Sequence, residues 1–213
     1  MIFNNSYLNS LIQEELGTDS TSFSMEELAN VKYLNIEQNI DFEELVKLTN
    51  LEELKFYNLE IIVTDLALLN NLKELKNLYF IDCEIESFRI LNGMKLDTLY
   101  IDNSTVDELK YLNNLFIDKL FLHNMVNVDL DDLSIIRNVT SLSLDYSKVL
   151  NEKRMIFLDK IENLSLVKTG IESIDTLIAN ESLKYLIIDE KIAKNNQEVI
   201  KELQKNDVNV EIV

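Results

Sequence analysis

An eleven-residue unit, Leu75-Lys76-Asn77-Leu78-Tyr79-Phe80-Ile81-Asp82-Cys83-Glu84-Ile85, recurs through this chain of 213 residues. With Leu75 as position 1, apolar side chains fall at positions 1, 4, 6 and 11. Eight copies begin at Val31, Leu51, Leu75, Leu96, Ile117, Val139, Ile161 and Leu183, at intervals of 20, 24, 21, 21, 22, 22 and 22 residues. A steady period in this range is the signature of a solenoid, in which each unit buries its apolar face only by stacking on its neighbours.

Position 4 is leucine in all eight copies: Leu34, Leu54, Leu78, Leu99, Leu120, Leu142, Leu164 and Leu186. Position 1 is always aliphatic, and position 6 reads Ile36, Phe56, Phe80, Ile101, Leu122, Leu144, Leu166, Ile188. Alternation from position 4 to position 6 predicts a strand. Connections this short make the strands parallel, with right-handed crossovers. Position 11 holds at Ile61, Ile85, Val106, Val149, Ile171 and Ala193 but slips at Asp41 and Asn127. There Ile40 and Val128 are expected to take its place.

The Leu-x-x-Leu-x-Leu core, the period and the lead-in Leu48-Thr49-Asn50-Leu51 resemble leucine-rich repeats, and the short period looks most like the bacterial internalin type. The resemblance covers residues 31–192. It implies an α/β fold: a right-handed solenoid with a parallel sheet on its concave face and helical caps. It leaves function open, because such repeats serve many partners. At position 9 the family favours an asparagine that bonds the turn, and only Asn39 matches. Cys83, Ser104, Ser147 and Thr169 can supply part of that bond, whereas Leu59, Met125 and Lys191 cannot. Irregular turns are therefore expected in the second and fifth repeats. Cys83 reads as a buried ladder residue rather than a nucleophile.

Residues 1–30 read as a helical cap. Tyr7, Leu8, Leu11, Ile12 and Leu16 form a stripe behind Ser6 as N-cap, Gly17 ends it, and Ser24 and Glu27 have capping-box spacing. Residues 193–213 read as a C-terminal cap. Val199, Ile200 and Leu203 share a helix face, Asn195 and Glu198 have capping-box spacing, and Val208, Val210 and Ile212 alternate as a last strand that closes the sheet's open edge. One domain results, with eight repeats between two caps.

Proline is absent and glycine occurs three times, so there is no linker and no glycine-rich phosphate loop. The 38 acidic and 20 basic residues leave a net charge of −18. Such a field repels nucleic acid and anionic lipid; it favours a basic protein partner, or serves only to keep a monomer soluble. The one cysteine excludes an intrachain disulfide and fits a reducing compartment. The N-terminus shows no signal-peptide pattern, and no apolar run approaches the ~20 residues of a membrane span. A cytoplasmic protein is expected.

Positions 3, 5 and 7 point away from the core, onto the concave face, because strand side chains alternate. Column 5 places Tyr79, Tyr100 and Phe121 on successive strands. Column 7 sets Tyr57, Ile81, Asp102, His123 and Asp145 beside them. These eight residues are the expected partner-binding surface, although cross-strand aromatic pairs also stabilise a sheet. The row Asp102, His123, Asp145 invites a metal or acid–base reading. One histidine on an open face is a poor ligand set, however, and a solvated or partner-facing histidine is expected. No Gly-x-Ser-x-Gly, Walker, His-Glu-x-x-His or Cys-x-x-Cys motif occurs. The sequence thus points to a non-catalytic protein-binding module without metal or cofactor. An inhibitor or immunity-type protein that neutralises a basic enzyme or toxin is the alternative, and an enzyme built on the Asp-His-Asp row the third. Glu86 and Glu172, just past position 11, are expected to be inert convex surface.

Overall fold

The computed structural model describes residues 1–213 apart from 92, 134, 135 and 137. Its main sheet has nine parallel strands in chain order: β1 (Tyr33–Ile36), β2 (Glu53–Tyr57), β3 (Asn77–Ile81), β4 (Lys95–Asp102), β5 (Phe116–His123), β6 (Ser141–Ser143), β7 (Asn163–Ser165), β8 (Tyr185–Ile188) and β9 (Asn209–Ile212). The register joins equal repeat positions: Leu34 lies opposite Leu54, Leu54 opposite Leu78, Leu78 opposite Leu99, and Leu99 opposite Leu120. Leu142, Leu164 and Leu186 continue the row, which ends on Val210 of β9. A slip of one residue would turn every leucine to water, so the apolar pattern itself holds the register.

Every residue at positions 1, 4 and 6 is buried, none more than 4% exposed. Each such side chain contributes about 1.5–3 kcal/mol on leaving water. Behind the N-terminal half of the sheet the position-6 rings of Phe56 and Phe80 stack at 5.5 Å between centroids, Phe42 of the neighbouring helical segment stacks on Phe56 at 5.5 Å, and Phe88 stands edge-on to Phe80 at 5.7 Å. Short helical segments close the opposite side: α3 (Phe42–Leu45), α4 (Val63–Leu69), α5 (Leu130–Leu133) and 3-10 turns at Leu109–Asn114, Glu152–Phe157 and Asp175–Ala179.

From the second to the seventh repeat the turn after the strand is regular, contrary to expectation for the second; the fifth keeps the turn and becomes irregular just beyond it. Position 8 has positive φ in six successive repeats, at Asn58 (53°), Asp82 (55°), Asn103 (46°), Asn124 (51°), Tyr146 (62°) and Lys168 (56°). This left-handed residue turns its N–H onto the next repeat. Asn58, Asp82, Asn103, Asn124 and Tyr146 each donate to the position-7 carbonyl of the following strand at 2.8–3.2 Å. Lys168 donates instead to the Asp189 carboxylate at 2.7 Å. Position 9 then acts across repeats. Ser147 Oγ accepts from Met125 N–H at 2.9 Å and donates to Leu122 O at 2.8 Å, completing the turn that Met125 cannot complete itself. Ser104 does the same for Cys83 N–H at 2.9 Å. The fifth repeat carries one extra residue beyond the turn. Val128 is buried where Asn127 is exposed, and it pairs with Val149. The earlier ladder of Ile61, Ile85 and Val106 is a separate sheet.

Both ends differ in detail from the sequence expectation. Helix α1 (Ser6–Leu16) is capped by Asn5, whose side chain accepts from Leu8 N–H, not by Ser6; Gly17 ends it at φ 62°. The Ser24–Glu27 capping box of α2 (Met25–Leu28) forms as expected. Tyr7 covers the edge of β1, its hydroxyl accepting from Glu37 N–H at 2.8 Å. At the C-terminus no Asn195–Glu198 box forms. Asp189 caps α6 (Glu190–Asn195), and Asn196 then separates it from α7 (Gln197–Lys205) without a side-chain cap. Asn196 is 5% exposed because it works inward: Oδ1 accepts from Ile174 N–H at 3.1 Å, and Nδ2 donates to Glu172 O and Ile192 O at 2.9 Å. Ile200 and Leu203 of α7 are buried in the end of the core. β9 becomes the outermost strand of the sheet rather than closing it.

Candidate functional site

The open face of the sheet carries the side chains of columns 3, 5 and 7. Lys55, Tyr79, Tyr100, Phe121, Ser143 and Ser165 lie opposite one another in register on β2 to β7. Tyr79 and Tyr100 are 5.9 Å apart between centroids, Tyr100 and Phe121 5.8 Å, each pair tilted by 45°. His123 stands edge-on against both Tyr100 (5.2 Å) and Phe121 (5.8 Å). At the other end Lys55 Nζ lies 4.7 Å over the Tyr79 ring and pairs with Glu53 at 2.9 Å. The three rings are half-buried. Sequence alternation places them on one face; their mutual contact follows from the strand spacing of about 4.8 Å.

Tyr57 and Ile81 are half-buried beside this row, paired across β2 and β3, and Asp102 and His123 are paired across β4 and β5. Tyr100 donates its hydroxyl to Asp102 Oδ2 at 3.2 Å, and Asn124 donates to Asp102 Oδ1 at 2.6 Å. Burial, reinforced by the Asp102 carboxylate, pushes the Tyr100 phenol up to about 12. His123 Nε2 is 2.7 Å from Ser143 Oγ. Burial pulls its imidazole below the ordinary value; Asp145 and Asp102 oppose that without overcoming it. The histidine is half-buried, packed edge-on against the aromatic row with part of its surface on the open face.

The Asp102, His123, Asp145 row is real as a row, and each member is engaged elsewhere. Asp145 accepts from Ser165 Oγ at 2.7 Å and from Val167 N–H at 2.8 Å, which ties it to the next repeat. Among the described residues no group of three His, Cys, Asp or Glu is placed to hold a metal ion. Cys83 is 2% exposed, its Sγ 3.3 Å from Ile81 O and 3.4 Å from Phe56 O, and burial raises its thiol pKa. It is a ladder residue, as the sequence indicated. Glu86 is not inert: its carboxylate accepts from Val63 N–H at 2.9 Å, at the start of α4.

Beyond Phe121 the row drops from rings to hydroxyls. Ser141, Ser143, Asn163 and Ser165 line a groove of about 490 Å³, walled by Phe121 on one side and by Tyr185 and Ile187 on the other. Lys119 and Glu211 stand at its margins. Column 5 held the signal for this groove, since two serines follow three aromatics. Among the described residues no helix is long and apolar enough to cross a membrane.

No protein-family model matches the chain, and no curated protein matches it in sequence. Solved structures do. Internalin C2 of Listeria monocytogenes is similar over 100% of this chain and 95% of its own, at 19% identity and a TM-score of 0.60. Internalin F of the same organism, at 16% identity, is similar over 100% and 91% of the two chains with a TM-score of 0.36. The likeness to internalin C2 is one of fold: the chain is a leucine-rich-repeat solenoid of the internalin type.

Proposed function

We propose that this solenoid is a non-catalytic module that binds a protein partner across the open, concave face of its sheet. Tyr79, Tyr100 and Phe121 form the centre of the contact, with Tyr57, Ile81, Asp102, His123 and Asp145 around them. The observation that carries the reading is the continuous row of half-exposed rings standing in front of a core already filled by positions 1, 4 and 6. A partner laid across three adjacent rings desolvates all of them at once, and interface energy concentrates in a few such residues.

The experiment compares Tyr100→Ala with Glu172→Ala for affinity to a partner isolated by pull-down from native lysate. Glu172 has an exposed side chain outside the face. Tyr100→Ala is expected to weaken binding by about thirtyfold or more, the cost of losing a hot-spot residue. Equal, parent-like affinity of both variants with the fold intact would remove the open face from the account. A second reading, an inhibitor or immunity-type protein directed at a basic enzyme or toxin, draws support from the net charge of −18. Loss of a basic partner's activity on complex formation would select it.

A further inference from the structure

The two margins of the open face differ in charge. Positions 7 and 8, where the strands end, carry Glu37, Asp82, Asp102, Asp145, Asp189 and Glu190 against a single lysine, Lys168. Positions 2 and 3, where the strands begin, carry Glu52, Glu53, Asp97, Asp118 and Glu162 against four lysines. Most of that second charge is spent along the sheet. Lys32 and Lys76 both pair with Glu52, at 3.0 and 3.4 Å, and Lys184 pairs with Glu162 at 2.7 Å. Six carboxylates against one lysine leave the strand-end margin at −5; five against four leave the other at −1.

The aromatic row lies between these margins, and one of its rings already shows what the surface accepts. Lys55 stacks on Tyr79 with Glu53 beside it, a cation over a ring with a carboxylate at hand. The groove beyond Phe121 is floored by the strand backbone at Leu142, Leu164 and Leu186, whose side chains turn into the core, and is lined by small polar side chains between the apolar walls Phe121, Tyr185 and Ile187; it has room for one large apolar side chain. Lys119 on the groove's strand-start side repels a second cation there.

Resting on the reading of the open face as the binding site, we propose that the partner is a basic–apolar protein segment held in one orientation. Its apolar side chain fills the groove against Phe121, and the arginine or lysine flanking it lies toward the strand-end margin of Asp82, Asp102 and Asp145. Apolar burial supplies affinity, and the charge asymmetry sets which way round the segment lies.

The test is selection of a random peptide library displayed on phage against the full chain, followed by titration of synthetic copies of the recovered peptides. Recovered peptides are expected to place arginine or lysine beside a large apolar residue and to lose about tenfold or more in affinity on Tyr100→Ala. Asp82→Asn, on the strand-end margin, is expected to weaken them by about two- to fivefold, less so at high salt. Asp97→Asn, on the opposite margin, is expected to leave affinity unchanged. Peptides that need Tyr100 but lack basic residues, or that respond equally to both aspartate variants, overturn the inference and leave the binding face standing. Peptides indifferent to Tyr100, or none recovered, overturn both.

Discussion

Glu44 accepts a hydrogen bond from the backbone N–H of Asn4 at 2.8 Å, forty residues upstream. Its second oxygen accepts from Asn5 N–H at 3.0 Å, and Lys47 Nζ lies 3.7 Å away. The residue is 3% exposed, so this carboxylate fastens the N-terminal cap to the first repeat from inside the structure. Burial pushes its pKa up, but the two N–H donors and Lys47 outweigh burial and hold it below the ordinary 4.5.

A carboxylate depressed in the fold contributes stability that is present above its unfolded value and lost as pH falls through the folded one. Urea melts of the parent are therefore expected to lose stability below pH 4.5, the cap loosening with it. Glu44→Gln puts an amide where two donors converge and is expected to cost about 1–3 kcal/mol at neutral pH. It should also flatten the acid limb. An acid limb as steep as the parent's would show that Glu44 does not govern it.

Leu120 and Phe121 are neighbours in sequence on opposite sides of β5. Leu120 is 0% exposed, and Leu120→Ala is expected to cost about 2–5 kcal/mol through lost transfer energy and the cavity left behind. Phe121 is half-buried and packs its ring against those of Tyr100 and His123. Phe121→Ala is expected to cost about 1–3 kcal/mol, since ring pairs contribute about 0.5–1.5 each. Urea melts of the two variants decide the matter; equal losses would contradict the observed register.

Tyr100 is expected to ionise at about 12 in an ultraviolet titration of the folded protein. Asp102→Asn replaces the charged acceptor of its hydroxyl by a neutral amide oxygen and removes the neighbouring negative charge, and should bring that value down. Burial remains the larger cause, so the shift is expected to shrink rather than vanish. An unchanged phenol in the variant would separate Tyr100 from Asp102.

His123, the only histidine, gives an isolated ring signal in NMR titration. Its folded pKa is expected below 6.5 because burial disfavours the cation. Above 6.5 the ring is neutral in both states and contributes nothing to pH dependence. As pH falls from 6.5 through the lower folded value, the unfolded chain takes up the proton first and stability declines. Asp145→Asn removes a charge that favours the imidazolium, so the His123 value should fall further. A rise would reverse the assigned role of Asp145.

The columns of this protein were legible in its sequence. Leucine at every position 4 can be buried in one register only, and a strand's two-residue repeat then assigns Tyr79, Tyr100, Phe121 and His123 to a single face. Burial of Cys83 followed by the same reasoning. Interactions that reach across repeats were not legible, because no local pattern records them. Ser147 completes the turn of Met125, Glu86 serves Val63, and Asn196 satisfies Ile174 N–H, while the expected Asn195–Glu198 box does not form. The left-handed turns at Tyr146 and Lys168 defy residue preference, and their ladder of bonds to the next repeat offsets the strain of about 1–2 kcal/mol each. Alternation along the chain determined which side chains face outward. Stacking of one repeat on the next decided what each of them touches, since those contacts join residues about twenty positions apart that meet only when the strands stand side by side.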